Sequence, residues 1–383
     1  MVDYAEKQLS PGTLKSYKPR LEKRIIPAIG HIKLAKLQPH HLMEFYNNLG
    51  EEGIRLDSMV IPNQQLLDLL ATHKKSELGE KIGISFKTIN RIYKGEQTNL
   101  ETAQKLCSVL EITLTDYFEG SSKDKLSTKT IKHHHSLVST ILSTAVKWNL
   151  IHYNPATRVD SPKVEKYKPG YYEEQEIYNL LTLLQDEPLP FRTAIHLTID
   201  TGIRKGELAG LQWSDVDFEQ GTIHIRRQRQ YVADYGVIEK APKTENGHRT
   251  ITVSGAVMEL LSAYQAYQIS QQELLGDAWE DNPYILVHDD GTAFHPHLPY
   301  KQFTDFLKKH QLPKITFHEL RHTNASLLIS AGVDVVTLSN RLGHGDKNVT
   351  LNTYSHIIKS KEAEVANKMD VFYQNLNATP SAT

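Results

Sequence analysis

A chain of 383 residues and 43.6 kDa, 39% hydrophobic and 23% charged, is ordinary globular material for two or three domains, neither disordered nor fibrous. One cysteine, Cys107, excludes an internal disulfide framework and fits a reducing compartment, and no apolar run approaches the ~18 residues of a membrane helix or forms a signal-peptide core. The formal charge of -1 excludes a simple polycation that coats nucleic acid, but it averages unlike segments.

The first predicted helix is set up by Ser10-Pro11 and runs through Thr13, Leu14, Tyr17, Leu21, Ile25 and Ile26 until Gly30 breaks it. A second opens at Gln38-Pro39-His40, passes Leu42, Phe45, Tyr46 and Leu49, and closes at Gly50. A third starts at Ser127, carries Ile131, Leu137, Val138, Ile141, Leu142, Ala145 and Trp148, and ends at Asn154-Pro155. Together they predict one small helical domain, split over 1–57 and 121–162. Its run His133-His134-His135 invites a metal reading, but adjacent helical residues point in different directions, so a partly solvated helix face is expected.

Residues 58–120 read as an insertion within that domain. Ser76-Glu-Leu-Gly-Glu-Lys-Ile-Gly83 and Phe86-Lys-Thr-Ile-Asn-Arg-Ile-Tyr-Lys-Gly95 predict two short helices around a tight turn at Gly83. Ile84, Ile89 and Ile92 are expected to pack inward, leaving Lys87, Thr88, Asn90, Arg91 and Lys94 to line a DNA groove. The segment resembles the lambda-repressor-like helix-turn-helix family over nearly its whole length. The alternative is a helical bundle whose basic residues merely solvate it or grip a protein.

Charge follows this division. The split domain with its flank (1–57 and 121–163) holds 16 Lys/Arg against 9 Asp/Glu, the insertion 7 against 8, and residues 164–383 hold 21 against 28. Residues 163–170 read as an exposed linker. Beyond it come a helix through Ile177, Leu180, Leu181 and Leu184, and another approaching Thr201-Gly202. Alternating stretches at 221–232 and 248–253 predict a small antiparallel sheet with a polar turn near 244–247. Helices then return, and the tail 377–383 is expected to be loose. The fold class is therefore mainly α with a small antiparallel β-sheet.

His318-Glu-Leu-Arg-His322 is a literal H-E-x-x-H, which on a helix presents two His and a Glu for zinc and a water nucleophile. A zinc site needs a third protein ligand, the pattern is short, and Arg321 puts a permanent cation inside it. The metalloprotease reading is set aside and no metal is expected. The same helix brings His318 and Arg321 to one face, three residues apart. Thr201-Gly-Ile-Arg204-Lys-Gly-Glu207 lies upstream, Ala241-Pro-Lys243 between, and Leu342-Gly-His344 and Thr353-Tyr354 downstream. Two guanidiniums, an ammonium, two imidazoles and a phenol, with no carboxylate cluster for magnesium, suit metal-free transesterification at a phosphodiester. Arginine forks hold the charged oxygens, the phenol attacks, and a covalent phosphotyrosyl link conserves the bond energy. There is no nucleotide-binding G-x-x-x-x-G-K-[ST] loop, and no cofactor is expected.

With this ordered set the chain resembles the tyrosine recombinases (phage-integrase family), integrases of mobile elements above all, over about 10–57 and 121–370. The resemblance implies a core-binding (SAM-like) DNA-binding domain at 1–57 and 121–162, and a catalytic domain with its tail at 171–383. It implies that Arg204, Arg321 and His344 bind the scissile phosphate, that Lys243 is the general acid toward the 5′ oxygen, and that His318 assists proton transfer at the nucleophile Tyr354. Glu207 would position neighbouring groups. It further implies double-stranded DNA core sites, a homotetramer on DNA, exchange of an apolar tail around Val365, Met369, Val371 and Phe372, an accessory directionality factor, no membrane, and a bacterial or phage-infected cytoplasm. Lys240 competes with Lys243, and His356 is expected to pack. The first helix begins within about ten residues of Met1, so the N-terminal arm-binding domain that such integrases often carry is expected to be either lacking or removed, and the insertion is a candidate for accessory-site binding. A regulator that kept the fold without strand exchange, and a relaxing topoisomerase, are the competing classes.

Overall fold

The computed structural model describes residues 6–52, 59–120, 125–165, 169–242, 247–360, 369–370 and 373–374. The chain is mainly helical (61%) with small antiparallel sheets. It divides into two compact units, Met1–Lys166 and Tyr167–Thr383, with the division inside the stretch 163–170.

In the first unit, α1 (Pro11–Arg20) continues through a π-helical turn (Leu21–Ile25) into α2 (Ile26–Ile29). The sequence pattern predicts one helix here. The π turn sits between Pro19 and Pro27, each of which withholds an N–H from the ladder. α3 (Pro39–Leu49) buries Leu42, Phe45, Tyr46 and Leu49, and α9 (Thr128–Lys147) buries Ile131, Leu137, Val138, Leu142 and Ala145 against them. Each buried Leu, Ile, Val or Phe among them contributes about 1.5–3 kcal/mol of transfer free energy. The histidine run divides: His133 is exposed and His135 half-buried, but His134 is only 3% exposed, on the same side of α9 as Ile131 and Leu137, with Nδ1 2.8 Å from Thr130 O. That ring belongs to the core rather than to a solvated face, and its burial pulls the pKa down.

Between α3 and α9 stands a separate core of Val60, Leu66, Leu70, Leu78, Ile89 and Leu106. Five helices surround it: α4 (Gln64–Ala71), α5 (Lys75–Ile82), α6 (Phe86–Tyr93), α7 (Leu100–Leu110) and α8 (Leu114–Tyr117). A three-stranded sheet closes it, with β1 (Met59–Pro62) between β2 (Thr98–Asn99) and β3 (Phe118–Glu119). Because β1 pairs with β3, the two ends of the insertion lie side by side. α5 stops at Gly83, in a left-handed conformation (φ 73°), and Ser85 starts α6 by accepting Thr88 N–H. Lys23 on the π turn pairs with Glu101 on α7 at 2.7 Å.

The second unit is built around α11 (Leu189–Thr201), which is buried on almost every side and contacts α13 (Gly255–Leu275), α14 (Leu298–Lys309) and α15 (Phe317–Ser330). α10 (Glu174–Leu183), α12 (Lys205–Ala209), α16 (Val335–Leu342) and α17 (Lys347–Ser360) complete the helices. β5 (Thr222–Ile225) pairs antiparallel with β4 (Val216–Asp217) and with β8 (Arg249–Thr252), in register Thr222 to Thr252. The chain between β5 and β8 forms a second hairpin, β6 (Gln228–Val232) with β7 (Gly236–Lys240), that the sequence pattern does not predict. Its turn uses Asp234 and Gly236 in left-handed conformations (φ 73° and 75°).

Candidate active site

Two turns and one helix build the site. α11 ends where Gly202 turns left-handed (φ 62°), and a Cβ there would lie 2.6 Å from Leu342 Cδ2 and 2.7 Å from Asn324 Oδ1. Only glycine lets this turn approach α15 and α16 so closely. Arg204 follows, immediately before α12. Glu207, inside α12, accepts the Arg204 backbone N–H at 3.0 Å and its Nη1 at 2.8 Å. It also accepts Nη2 and Nη1 of Arg249 at 2.9 and 3.2 Å. Glu207 is 4% exposed. Burial pushes its carboxyl up, but the hydrogen bond and charge of Arg249, followed by Arg204, outweigh this and hold it below the usual range.

The second turn follows α16, where Gly343 is also left-handed. Arg204 Nη2 donates to Gly343 O at 2.7 Å, and Arg321 donates to the adjacent carbonyl, Leu342 O, at 2.6 Å and to Gly202 O at 2.6 Å. The two guanidiniums thus converge on neighbouring carbonyls at the C-terminal end of α16, the end whose dipole favours cations. Arg321 is buried, and burial followed by the charge of Arg204 pulls its pKa below the usual guanidinium range. The Arg204 side chain stays 36% open, so a ligand can reach the pair. His344 comes directly after the turn with Nδ1 2.7 Å from Thr350 Oγ1. Burial, then Arg321 and Arg204, pull its ring down to about 3, which leaves it neutral. Two adjacent cations repel unless an anion joins them, and a phosphodiester offers oxygens that match guanidinium forks.

Tyr354 stands on α17, 2% exposed, packed with Ala325, Ile329, Leu338 and Leu342. Burial pushes the phenol up to about 12, against the pull of Arg321. Its Oη lies 2.6 Å from His322 Nδ1. The family resemblance gives proton transfer at Tyr354 to His318, but the imidazole against the phenol is that of His322. His318 is at the surface and meets His322 edge-on, ring centroids 5.2 Å apart. The sequence signal for His322 is its position next to Arg321 on α15. Arg249, at the start of β8, is the other site residue that sequence reasoning passed over. Lys243 lies outside the described residues, as do Val365, Val371, Phe372 and the His356 side chain; Met369 is exposed.

The Glu of the H-E-x-x-H pattern is occupied at the start of α15: Glu319 accepts the N–H of Thr316 at 2.6 Å and of Gly170 at 2.9 Å. Among the described residues no three His, Cys, Asp or Glu side chains gather to hold a metal ion, and no helix is long and apolar enough to cross a membrane.

In the insertion, Ile89 and Ile92 are buried and Lys87, Arg91 and Lys94 are exposed, Lys94 just past the end of α6. Three of the five candidate contacts are held internally. Thr88 bonds Ser85 Oγ, Asn90 accepts Lys75 Nζ at 3.1 Å, and Arg91 is tied to Glu96 at 2.9 Å and to Gln97 O. Phe86, which the sequence reading did not single out, opens the helix 66% exposed.

Residues 171–361 match the phage integrase family, 2–50 the phage integrase N-terminal SAM-like domain, and 66–119 the Cro/C1-type HTH DNA-binding domain. The ICEBs1 integrase of Bacillus subtilis is 28% identical over 257 residues, covering 67% of this chain and 69% of that one. The tyrosine recombinase XerC-like protein of Caldanaerobacter subterraneus is 27% identical, covering 70% and 73%. Transposase A from transposon Tn554 of Staphylococcus aureus is 31% identical over 42% of each chain. Among solved structures, the Tn1549 transposon integrase in complex with a circular intermediate DNA shares the fold, with TM-score 0.52 and 21% identity over 80% of this chain and 99% of that one. The chain therefore belongs to the phage integrase family: it is a tyrosine recombinase of the mobile-element integrase type, with a Cro/C1-type helix-turn-helix carried inside its N-terminal half.

Proposed function

We propose that this recombinase cleaves and rejoins double-stranded DNA at core sites through a 3′-phosphotyrosyl link to Tyr354, without metal or nucleotide. The observation that carries the reading is the convergence of Arg204 and Arg321 on the Leu342–Gly343 turn, next to His344 and one helix from Tyr354. Both guanidiniums and His344 would hold the non-bridging oxygens of the scissile phosphate, where each well-aimed donor is worth about 10²–10³ in rate. Glu207 keeps Arg204 in place and balances Arg249. Lys243 would protonate the leaving 5′ oxygen. A phenol with a pKa of about 12 is ionised in only about one molecule in 10⁵ at neutral pH, so its attack needs an acceptor for the proton.

The reading extends to a homotetramer on two DNA partners, an accessory directionality factor, accessory-site binding by the insertion, and action in the cytoplasm of a bacterial or phage-infected cell. The test is a nicked suicide duplex built from the joined ends of the element that encodes the chain. Wild type should accumulate a covalent protein–DNA adduct that a chelator does not suppress. Tyr354→Phe should form none, and an adduct that survives this substitution would sink the assignment.

A further inference from the structure

The hydroxyl at the centre of the proposed reaction already has a partner. His322 Nδ1 lies 2.6 Å from Tyr354 Oη, within the range at which a base removes a proton, whereas His318 is one turn away and reaches the phenol only through the edge of the His322 ring. We infer that His322 is the catalytic base of Tyr354 in strand cleavage and its acid in rejoining. The inference rests on Tyr354 being the nucleophile.

Three features support the role. His322 follows Arg321 in α15, so the base and a phosphate-holding guanidinium leave one turn of one helix, and their relative position is fixed by backbone rather than by a loop. The phenol and the ring come from α17 and α15, which pack directly on one another, while Ala325, Ile329, Leu338 and Leu342 surround the tyrosine with apolar groups. A hydroxyl shielded in this way gives its proton to a side chain rather than to bulk water. The ring is also in the state a base requires. Burial first, then His318 and Arg321, pull its pKa to about 4, so one nitrogen carries a lone pair at neutral pH. Of these, Arg321 is the cation that an incoming phosphate would neutralise, so substrate binding lifts one of the charges that depress the basicity of His322.

The step balances. As Tyr354 Oη bonds to phosphorus, its O–H bond breaks and the proton passes to His322 Nδ1, which becomes an imidazolium. The P–O5′ bond breaks and the 5′ oxygen leaves as a hydroxyl with a proton from the opposite side, assigned above to Lys243. In rejoining, the 5′ hydroxyl loses that proton again as it attacks, and the imidazolium returns its own to the departing tyrosine.

The experiment compares full-length wild type, His322→Asn and Lys243→Ala in single-turnover cleavage of the suicide duplex. Each is also tested on a duplex whose scissile 5′ oxygen is replaced by sulfur, a leaving group that needs no acid. Asn keeps an acceptor near the Nδ1 position but is not basic. Adduct formation by His322→Asn is expected to fall ~10²-fold or more, with duplex affinity unchanged and no rescue by sulfur, while sulfur rescues Lys243→Ala. Cleavage within about threefold of wild type, or rescue by sulfur, overturns the inference. Should His322→Asn lose duplex binding altogether, nitrogen NMR of wild type decides: an unprotonated Nδ1 on His322 at neutral pH supports the role, and a protonated one contradicts it. Neither result bears on the nucleophile, which Tyr354→Phe tests separately.

Discussion

At the scale of single residues, Glu207 is where charge balance is most exposed to test. Its buried carboxylate is shared by Arg204 at 2.8 Å and Arg249 at 2.9 Å, and these bonds hold its pKa below the ordinary value. A depressed carboxyl contributes stability above its unfolded pKa, about 4.3, and loses it as pH falls through the lower folded value. Thermal melts of wild type should therefore drop on acidification below about pH 4.5, and Glu207→Gln should start lower and show a shallower drop in that window. Parallel curves for the two proteins would mean that the carboxylate is not the group being titrated. Arg204, Glu207, Arg321, His344 and Tyr354 were legible as types at given spacings, because i, i+3 geometry and phosphate chemistry constrain them. His322 was not, since its contact with Tyr354 depends on which side of α15 meets α17, and spacing alone offered it only a metal pair with His318, a reading set aside. Arg249 was hidden for a like reason: its partner Glu207 is 42 residues away in sequence.

At the scale of elements, α6 separates what amphipathic pattern shows from what it hides. Burial of Ile89 and Ile92 and the left-handed Gly83 follow from sequence alone. That Asn90 and Arg91 are held by Lys75 and Glu96 does not, because those bonds close only once α5 and the turn after α6 are in place. The hairpin β6–β7 was missed likewise, as 221–232 alternates like one strand whereas the chain breaks it between Ile225 and Gln228. Of the five candidate contacts, Lys87 and Lys94 are exposed cations, one in the first turn of α6 and one just past its end. Lys87→Ala with Lys94→Ala should weaken binding of the full chain to element-end DNA, shorten its footprint, and make the salt slope shallower by about 1–2. An unchanged footprint and slope would assign the insertion to a partner other than DNA.

At the scale of the whole molecule, a formal charge of -1 conceals a basic N-terminal helical region and an acidic remainder. On the proposed function, long-range attraction to DNA would come from the basic region, and the second unit would hold phosphate by the local convergence of Arg204 and Arg321. Affinity for duplex DNA should fall steeply with salt, with a logarithmic slope of about -5 or steeper, whereas single-turnover cleavage at saturating protein should change little. A shallow binding slope would contradict this division of labour. Mass spectrometry of the digested adduct reads the covalent link itself. A single peptide is expected, containing Tyr354 and heavier by the nucleotides on the 5′ side of the scissile phosphate, joined through their 3′ phosphate; a nucleotide-bearing peptide without Tyr354 would overturn the assignment.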